Sequence, residues 1–199
     1  MNSPRAGTKI TLDVLSMYKE AVEQIKADPR YQANIEYGEP RSGHPEGKVK
    51  YHIAELEENL EGLKSRGISD DEYWKLKFLI HVHDSFKKEA VPDVAILDPR
   101  SHATLAREYA SQFASDIDLL NMIQFHDENY ALWKQYRAAG SYDDQRFKKL
   151  LGAITDWDLF LMFLIIDGST KGKERSRLIW FIGEVRKHKQ TFVDESWIL

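Results

Sequence analysis

A segment near the middle of the chain reads Leu79-Ile80-His81-Val82-His83-Asp84-Ser85-Phe86-Lys87. Its apolar residues have helical spacing and Ser69 precedes them as a helix cap, so a helix is predicted over residues 71–88. Adjacent side chains on a helix diverge by about 100°, which lets His83 and Asp84 converge on one ion in the angle between them. An imidazole and a carboxylate together suit several divalent metals, among them Mn²⁺, Fe²⁺, Zn²⁺ and Ni²⁺.

The same helical periodicity extends over most of the 199 residues, and the sequence contains no convincing run of strand alternation. Helices are predicted over residues 11–27, 44–66, 71–88, 101–115, 116–139, 143–151, 155–167 and 171–189. Residues 31–43 and 91–100 are predicted as loops, and Pro45 is expected at the first position of the second helix. Because neither an internal repeat nor a long linker is found, the sequence predicts a single all-α domain over residues 1–199.

The composition excludes several classes of protein. The net charge is −4, with acids and bases interspersed, which argues against general nucleic-acid binding. The chain has no Cys, so it has neither a thiolate zinc site nor a cysteine nucleophile. Residues 1–8 are polar, unlike a signal peptide, and the longest apolar run, residues 159–166, is too short to cross a membrane. The sequence therefore predicts a soluble, cytoplasmic protein.

Further metal-competent side chains stand at the borders of apolar segments. His52 lies on the apolar side of its predicted helix, and Asp167 follows the apolar run 159–166. A charged group there is costly to bury unless it meets a counter-ion. Three more such residues border other apolar stretches: His102, His126 and Asp127.

The order of these residues resembles the HD superfamily of metal-dependent phosphohydrolases. The opening segment, His44-Pro45-Glu46-Gly47-x-Val49-x-x-His52, is similar to the start of the HD domain in bacterial tRNA nucleotidyltransferases. Segment 79–87 matches the second motif in its His-Asp-x-x-Lys form, and residues 164–168 resemble the closing Asp motif. The resemblance covers about residues 43–168 and implies an HD-domain helical bundle with helical extensions at both ends.

The resemblance also implies which residues bind the metal. The implied ligands are His52, His83, Asp84 and Asp167. Three residues remain as either ligands of a second ion or contacts to the substrate: His102, His126 and Asp127. A single ion is slightly favoured, because Asp127 follows His126 where two-metal relatives tend to carry a second histidine. The Gly-Tyr-Pro signature of the cyclic dinucleotide phosphodiesterases is absent as well, so such a substrate is not expected.

The activity implied by the resemblance is hydrolysis of a phosphomonoester or phosphodiester, with a nucleotide as the expected small phosphorylated substrate. The metal, whether Mn, Mg, Ni, Co, Fe or Zn, would polarise a phosphoryl oxygen and lower the pKa of a bound water. Asp84 would be both a ligand and a water-orienting base, and Lys87 would reach a phosphate oxygen. Four cations are candidates either for binding the substrate's anionic group or for an ordinary solvated helix start: Lys171, Lys173, Arg175 and Arg177.

Two other functions stay open at this point. One is a metal-stabilised binding or regulatory module without turnover, and the other is a di-iron oxygenase, since some HD proteins with extra histidines hold a di-iron centre. A purely structural metal would not need Lys87 or an open coordination position. This consideration favours the hydrolase.

Overall fold

The computed structural model describes the backbone of residues 7–199 and the side chains of residues 17–199. Over this part of the chain the structure is all-α, as predicted, with one isolated bridge between Arg41 and His44 and no β-strand. The helices are α1 (Gly7–Ala27), α2 (Pro29–Ile35), α3 (Val49–Lys64), α4 (Asp70–Val82), α5 (His102–Ala110), α6 (Ile117–Phe125), α7 (Glu128–Ala139), α8 (Asp144–Ala153), α9 (Trp157–Gly168) and α10 (Ser176–Arg186), followed by a 3₁₀ turn, Glu195–Trp197. Residues 1–6, part of the polar segment unlike a signal peptide, lie outside the described residues.

Helix α9 forms the centre of the bundle. All of its residues 159–166 are apolar and buried, as expected for a helix that is hydrophobic all round. Helices α3, α4 and α10 pack against it, and all four contribute to one connected core cluster. This packing brings Asp167 of α9 against His52 of α3 and His83 at the end of α4. Among the described helices, none combines the length and apolar composition that a membrane span requires.

The helix predicted over residues 71–88 ends early, at Val82, so His83 and Asp84 lie in the turn that follows it. The Nδ1 atom of His83 lies 3.1 Å from the carbonyl oxygen of Leu79. Because a carbonyl oxygen can only accept, Nδ1 carries the proton and donates it. Nδ1 also lies 3.2 Å from the carbonyl oxygen of Ile80. The carbonyl of Leu79 still accepts the amide of His83 at 3.1 Å, so the competition with continuation of the helix is at Ile80, whose carbonyl would otherwise accept the amide of Asp84. Apolar spacing alone does not reveal this competition.

The helix predicted over residues 116–139 is interrupted between α6 and α7. The Nδ1 atom of His126 lies 2.8 Å from the carbonyl oxygen of Ile123 and donates to it. The ψ angle of Asp127 opens to −4°, and a new helical ladder starts where the amide of Tyr130 donates to the carbonyl of Asp127 at 3.1 Å. The interruption lets His126 and Asp127 turn toward the same cavity.

The prediction that Pro45 starts a helix is wrong. Helix α3 begins only at Val49, and the segment before it is a turn. Gly47 has a φ of +76°, in the left-handed region that favours glycine, and a Cβ atom there would lie 2.8 Å from the ring of Pro40. The turn directs Glu46 inward, where its side chain is only 4% exposed.

The loop predicted over residues 31–43 is partly helical, because helix α2 extends to Ile35. Asp28 caps this helix by accepting a hydrogen bond from the amide of Arg30 at 2.6 Å, and Pro29 occupies the first helical position. The Asp-Pro pair therefore ends α1, as predicted, and also begins a second short helix.

Candidate metal centre

Four predicted ligands from three parts of the fold meet in one place. The Nε2 atom of His52 lies 3.0 Å from Oδ1 of Asp167 and 3.9 Å from Oδ2 of Asp84. The Nε2 atom of His83 lies 3.8 Å and 3.6 Å from the same two oxygens. Two imidazole nitrogens thus alternate with two carboxylate oxygens around a ring. Ligands about 2.1 Å from one ion are spaced about 3.0 Å apart in octahedral and about 3.4 Å apart in tetrahedral geometry, so small side-chain shifts suffice to enclose one ion.

His83 has an unused ligand atom. Its side chain is fully buried, and its Nδ1 proton is donated to the carbonyl of Leu79. The lone pair therefore resides on Nε2, which has no hydrogen-bond partner among the residues whose side chains are described. Burial lowers the pKa of His83 to about 3, so the imidazole is neutral, the form that binds a metal. A buried acceptor without a donor is costly, and an ion in the ring would remove that cost.

Glu46 orients His52 from the opposite side of its ring. One carboxylate oxygen of Glu46, Oε1, lies 3.4 Å from Nδ1 of His52 and 2.9 Å from Nδ1 of His44. Burial opposes ionisation, but hydrogen bonds to these two histidines lower the pKa of Glu46 to about 2. A carboxylate facing Nδ1 favours the proton on that nitrogen and leaves Nε2 free for a metal. Sequence reasoning gave Glu46 no such role, although its position before Gly47 was a usable signal.

A second group of ligand atoms adjoins the first. The Oδ1 atom of Asp84 lies 3.3 Å from Nε2 of His126 and 3.6 Å from Nε2 of His102. Those two nitrogens are 3.3 Å apart, and Oδ2 of Asp127 lies 3.3 Å from Nε2 of His102. Asp84 therefore presents one oxygen to each group, and its side chain lies between them.

The cluster carries an excess of negative charge. Its four carboxylates belong to Glu46, Asp84, Asp127 and Asp167. Among the described side chains, only two ammonium groups pair with them, Lys87 with Asp84 and Lys173 with Asp167 at 2.8 Å. Burial opposes the charge of Asp84, but the ammonium group of Lys87 holds the pKa of its carboxyl well below the usual range. Burial likewise opposes the charge of His126, but Asp127 and Asp84 raise the pKa of its imidazole to about 9. The shift of His126 therefore reports the carboxylates around it, which a divalent cation would pair with in place of the imidazole proton.

The cluster opens into a cavity of about 1100 Å³. Asp84, His102 and His126 lie in its lining, as do Lys87 and Lys173. The volume is at the upper end of the range for small-molecule sites, so the cavity holds more than a phosphate group. The predicted catalytic Lys87 is therefore placed where a substrate entering the cavity would meet it.

The fold places two of the four candidate cations after Asp167 in the lining of the cavity and the other two outside it. Lys173 and Arg177 line the cavity, whereas Lys171 and Arg175 do not. The guanidinium of Arg175 donates to the backbone carbonyls after α9, including that of Ser169 at 2.7 Å and that of Gly168 at 3.1 Å. Arg175 therefore caps the end of α9, and its predicted contact with the substrate is not supported by its position.

Comparison of the chain with protein-family models, with curated proteins and with solved structures gave no match.

Proposed function

We propose that this chain is an HD-type, metal-dependent phosphohydrolase that acts on a phosphomonoester or phosphodiester, with a nucleotide as the expected substrate. The observation that carries the proposal is the buried, unpartnered Nε2 atom of His83, which faces two carboxylates at the base of a large cavity. The family assignment itself rests on the motifs around His52, His83-Asp84 and Asp167.

The proposal includes two divalent ions. His52, His83 and Asp167 would hold the first, and Asp84 would contribute to both the first and the second. The ligands added for that second ion are His102, His126 and Asp127. Around Asp84, nitrogen ligand atoms of His102 and His126 lie next to carboxylate oxygens. This arrangement supports a second ion in place of the single ion favoured by the sequence. Asp127 would supply an oxygen ligand at the position where two-metal relatives tend to carry a second histidine.

The chain's own groups would then position the substrate. Bound ions supply an electrophile for the phosphoryl oxygen and a water of lowered pKa. Lys87 and Lys173 each hold one ligand carboxylate and also line the cavity. Their ammonium groups have three donors each, so each can keep its carboxylate and still donate to a phosphate oxygen. Asp84, fixed by Lys87, would orient the water.

The proposal is tested with the full chain, purified without chelator and supplied with Mn²⁺, Ni²⁺, Co²⁺ or Mg²⁺. p-Nitrophenyl phosphate, bis-p-nitrophenyl phosphate and a nucleotide panel serve as substrates. Turnover that EDTA abolishes and that Asp84→Asn removes is the expected result, with His188→Ala as a control far from the cluster. Metal binding without turnover of any substrate would favour a binding or regulatory module instead.

Lys87 provides a finer test of the same mechanism. An ammonium group has no lone pair for a metal, so Lys87→Ala should lower kcat/KM by about 10-fold or more, the loss expected for a hydrogen bond to a charged group. The amount of metal bound by the variant should change much less than kcat/KM. Unchanged kinetics on every hydrolysed substrate would remove Lys87 from the mechanism.

A further inference from the structure

One partly buried cation that lines the cavity has no counter-ion among the side chains that the structure describes. The other partly buried cations that line the cavity each pair with a carboxylate: Lys87 with Asp84, Lys173 with Asp167, and Arg146 with Glu128. Arg177 makes neither an ion pair nor a hydrogen bond with any residue whose side chain is described, and its Nε and Nη2 atoms are buried. Even Glu174, three residues earlier in the chain, pairs with Arg137 at 4.0 Å instead.

An unpaired guanidinium of this kind is costly to keep. Buried donors without acceptors destabilise a fold, so native proteins rarely leave them unpaired. Nε and Nη2 form one edge of the guanidinium, which presents two parallel N–H groups. That edge matches the two oxygens of a carboxylate or phosphate. An anionic ligand is therefore the partner that Arg177 lacks.

An aromatic ring covers the guanidinium of Arg177. The ring of Tyr130 lies over it, with 5.4 Å from the guanidinium carbon to the ring centroid, a favourable cation–π arrangement. Tyr130 is 44% exposed and lines the cavity beside Trp133 and Arg177. Because the ring is not part of the core, it can rotate aside and open the guanidinium edge to a ligand.

We propose that Arg177 and Tyr130 form a second anion subsite of this cavity, which binds a phosphate or carboxylate group of the substrate other than the phosphoryl group that reacts. This inference rests on the proposed function. The reacting phosphoryl group belongs at Asp84, Lys87 and Lys173, and no hydrogen bond or ion pair joins Arg177 to any of them. Substrates with two acidic groups would therefore be preferred over those with one.

A matched series of aryl phosphates tests the preference. Phenyl phosphate carries one anionic group, 4-carboxyphenyl phosphate adds a carboxylate, and 1,4-phenylene bisphosphate adds a phosphate. With Mn²⁺-loaded full chain, at least one two-anion substrate should have a kcat/KM about 10- to 100-fold above that of phenyl phosphate, as expected for a hydrogen bond to a charged group. The carboxylate and phosphate members identify which anion the subsite prefers.

The variant Arg177→Met tests whether Arg177 binds the second anionic group, because it keeps an unbranched aliphatic side chain but removes the charge. It should lose most of the advantage of the two-anion substrate, whereas Arg177→Lys should keep a part of it. Arg186→Met, on the exposed end of the same helix and 3.8 Å from Asp194, is the control and should keep the advantage in full. An equal kcat/KM for all three substrates, or an undiminished advantage in a folded Arg177→Met protein, would overturn the subsite.

A binding measurement separates this inference from the proposed function. Calorimetric titration of phenyl phosphate and 1,4-phenylene bisphosphate into the full chain needs no turnover. Tighter binding of the bisphosphate that disappears in Arg177→Met supports the subsite even if no phosphate is ever released, in which case the hydrolase proposal alone fails. Equal binding of the bisphosphate by the wild type and Arg177→Met rejects the subsite, whether or not the chain is a hydrolase.

Discussion

Two buried histidines, His81 and His83, stand two residues apart at the end of the same helix and have opposite hydrogen-bonding arrangements. The Nδ1 atom of His81 lies 2.6 Å from the hydroxyl of Tyr31, and its Nε2 atom lies 3.2 Å from a carboxylate oxygen of Glu57. His83 donates from Nδ1 to the carbonyl of Leu79, and its Nε2 atom has no partner within the described side chains. His81 is fully satisfied, and His83 is not.

The difference teaches that burial alone does not identify a functional histidine. Glu57 can only accept, so the neutral form of His81 carries its proton on Nε2 and accepts from Tyr31 at Nδ1. This closed network ties α4 to α2 and α3. His83 has the opposite tautomer, and its lone pair faces two carboxylates. The unsatisfied atom, rather than the buried residue, marks the candidate metal centre.

The largest effect is expected for His83→Ala. It removes a lone pair that no neighbouring side chain replaces, so the affinity for Mn²⁺ should fall by more than about 100-fold, beyond the loss seen when an outer partner of a ligand is removed. The helical content should be retained, because the deleted Nε2 makes no hydrogen bond and the deleted Nδ1 only competes with the backbone at the end of α4. Calorimetric metal titration with a circular dichroism spectrum measures both. Full metal occupancy in the variant would contradict the assignment of His83 as a metal ligand, because His83 would then behave like His81.

An intermediate effect is expected for Glu46→Gln. The glutamine keeps the size of the side chain but can present an amide N–H to Nδ1 of His52. A proton on Nδ1 is then no longer favoured. Metal affinity should fall by about 10- to 100-fold, as for other groups that orient a ligand histidine. In the Zn²⁺-loaded chain, long-range ¹H–¹⁵N correlations of His52 report the tautomer directly. If the variant keeps both its affinity and the Nδ1–H signature, Glu46 has no orienting role.

The smallest effect on the metal is expected for His81→Ala. It leaves the hydroxyl of Tyr31 and the carboxylate of Glu57 without their partner, which should lower the free energy of unfolding by about 1–3 kcal/mol. The metal content should stay at the wild-type value, because His81 faces away from the cluster. Thermal or urea unfolding and elemental analysis of the same sample check the two parts. A loss of metal as large as in His83→Ala would refute the distinction.

The all-α class followed from the periodicity of the sequence, and the residues that meet at the metal centre were recognised by type and order. What the sequence did not reveal are the places where a side chain replaces a backbone hydrogen bond. His83 ends α4, His126 separates α6 from α7, and Arg175 caps the end of α9. Each of these residues is compatible with a continuing helical pattern.

Glu46 was missed for a related reason. A proline followed by an acid is typical of a helix start, and this local preference suggested that Pro45 begins α3. The left-handed φ of Gly47 decides otherwise. A Cβ atom at this position would also collide with Pro40, a neighbour that only the folded chain brings there. Arg177 is similar, because its lack of a partner emerges only when every neighbouring carboxylate has been placed.

The most direct test of the metal centre is elemental analysis of the full chain, purified without chelator and dialysed after incubation with Mn²⁺, in parallel with His83→Ala and His81→Ala. The account predicts two equivalents of divalent metal in the wild type and in His81→Ala, and a loss from the first site in His83→Ala. One equivalent in the wild type would keep the metal centre and remove the second ion. Absence of bound metal from the wild type, or equal occupancy in all three proteins, would contradict the account.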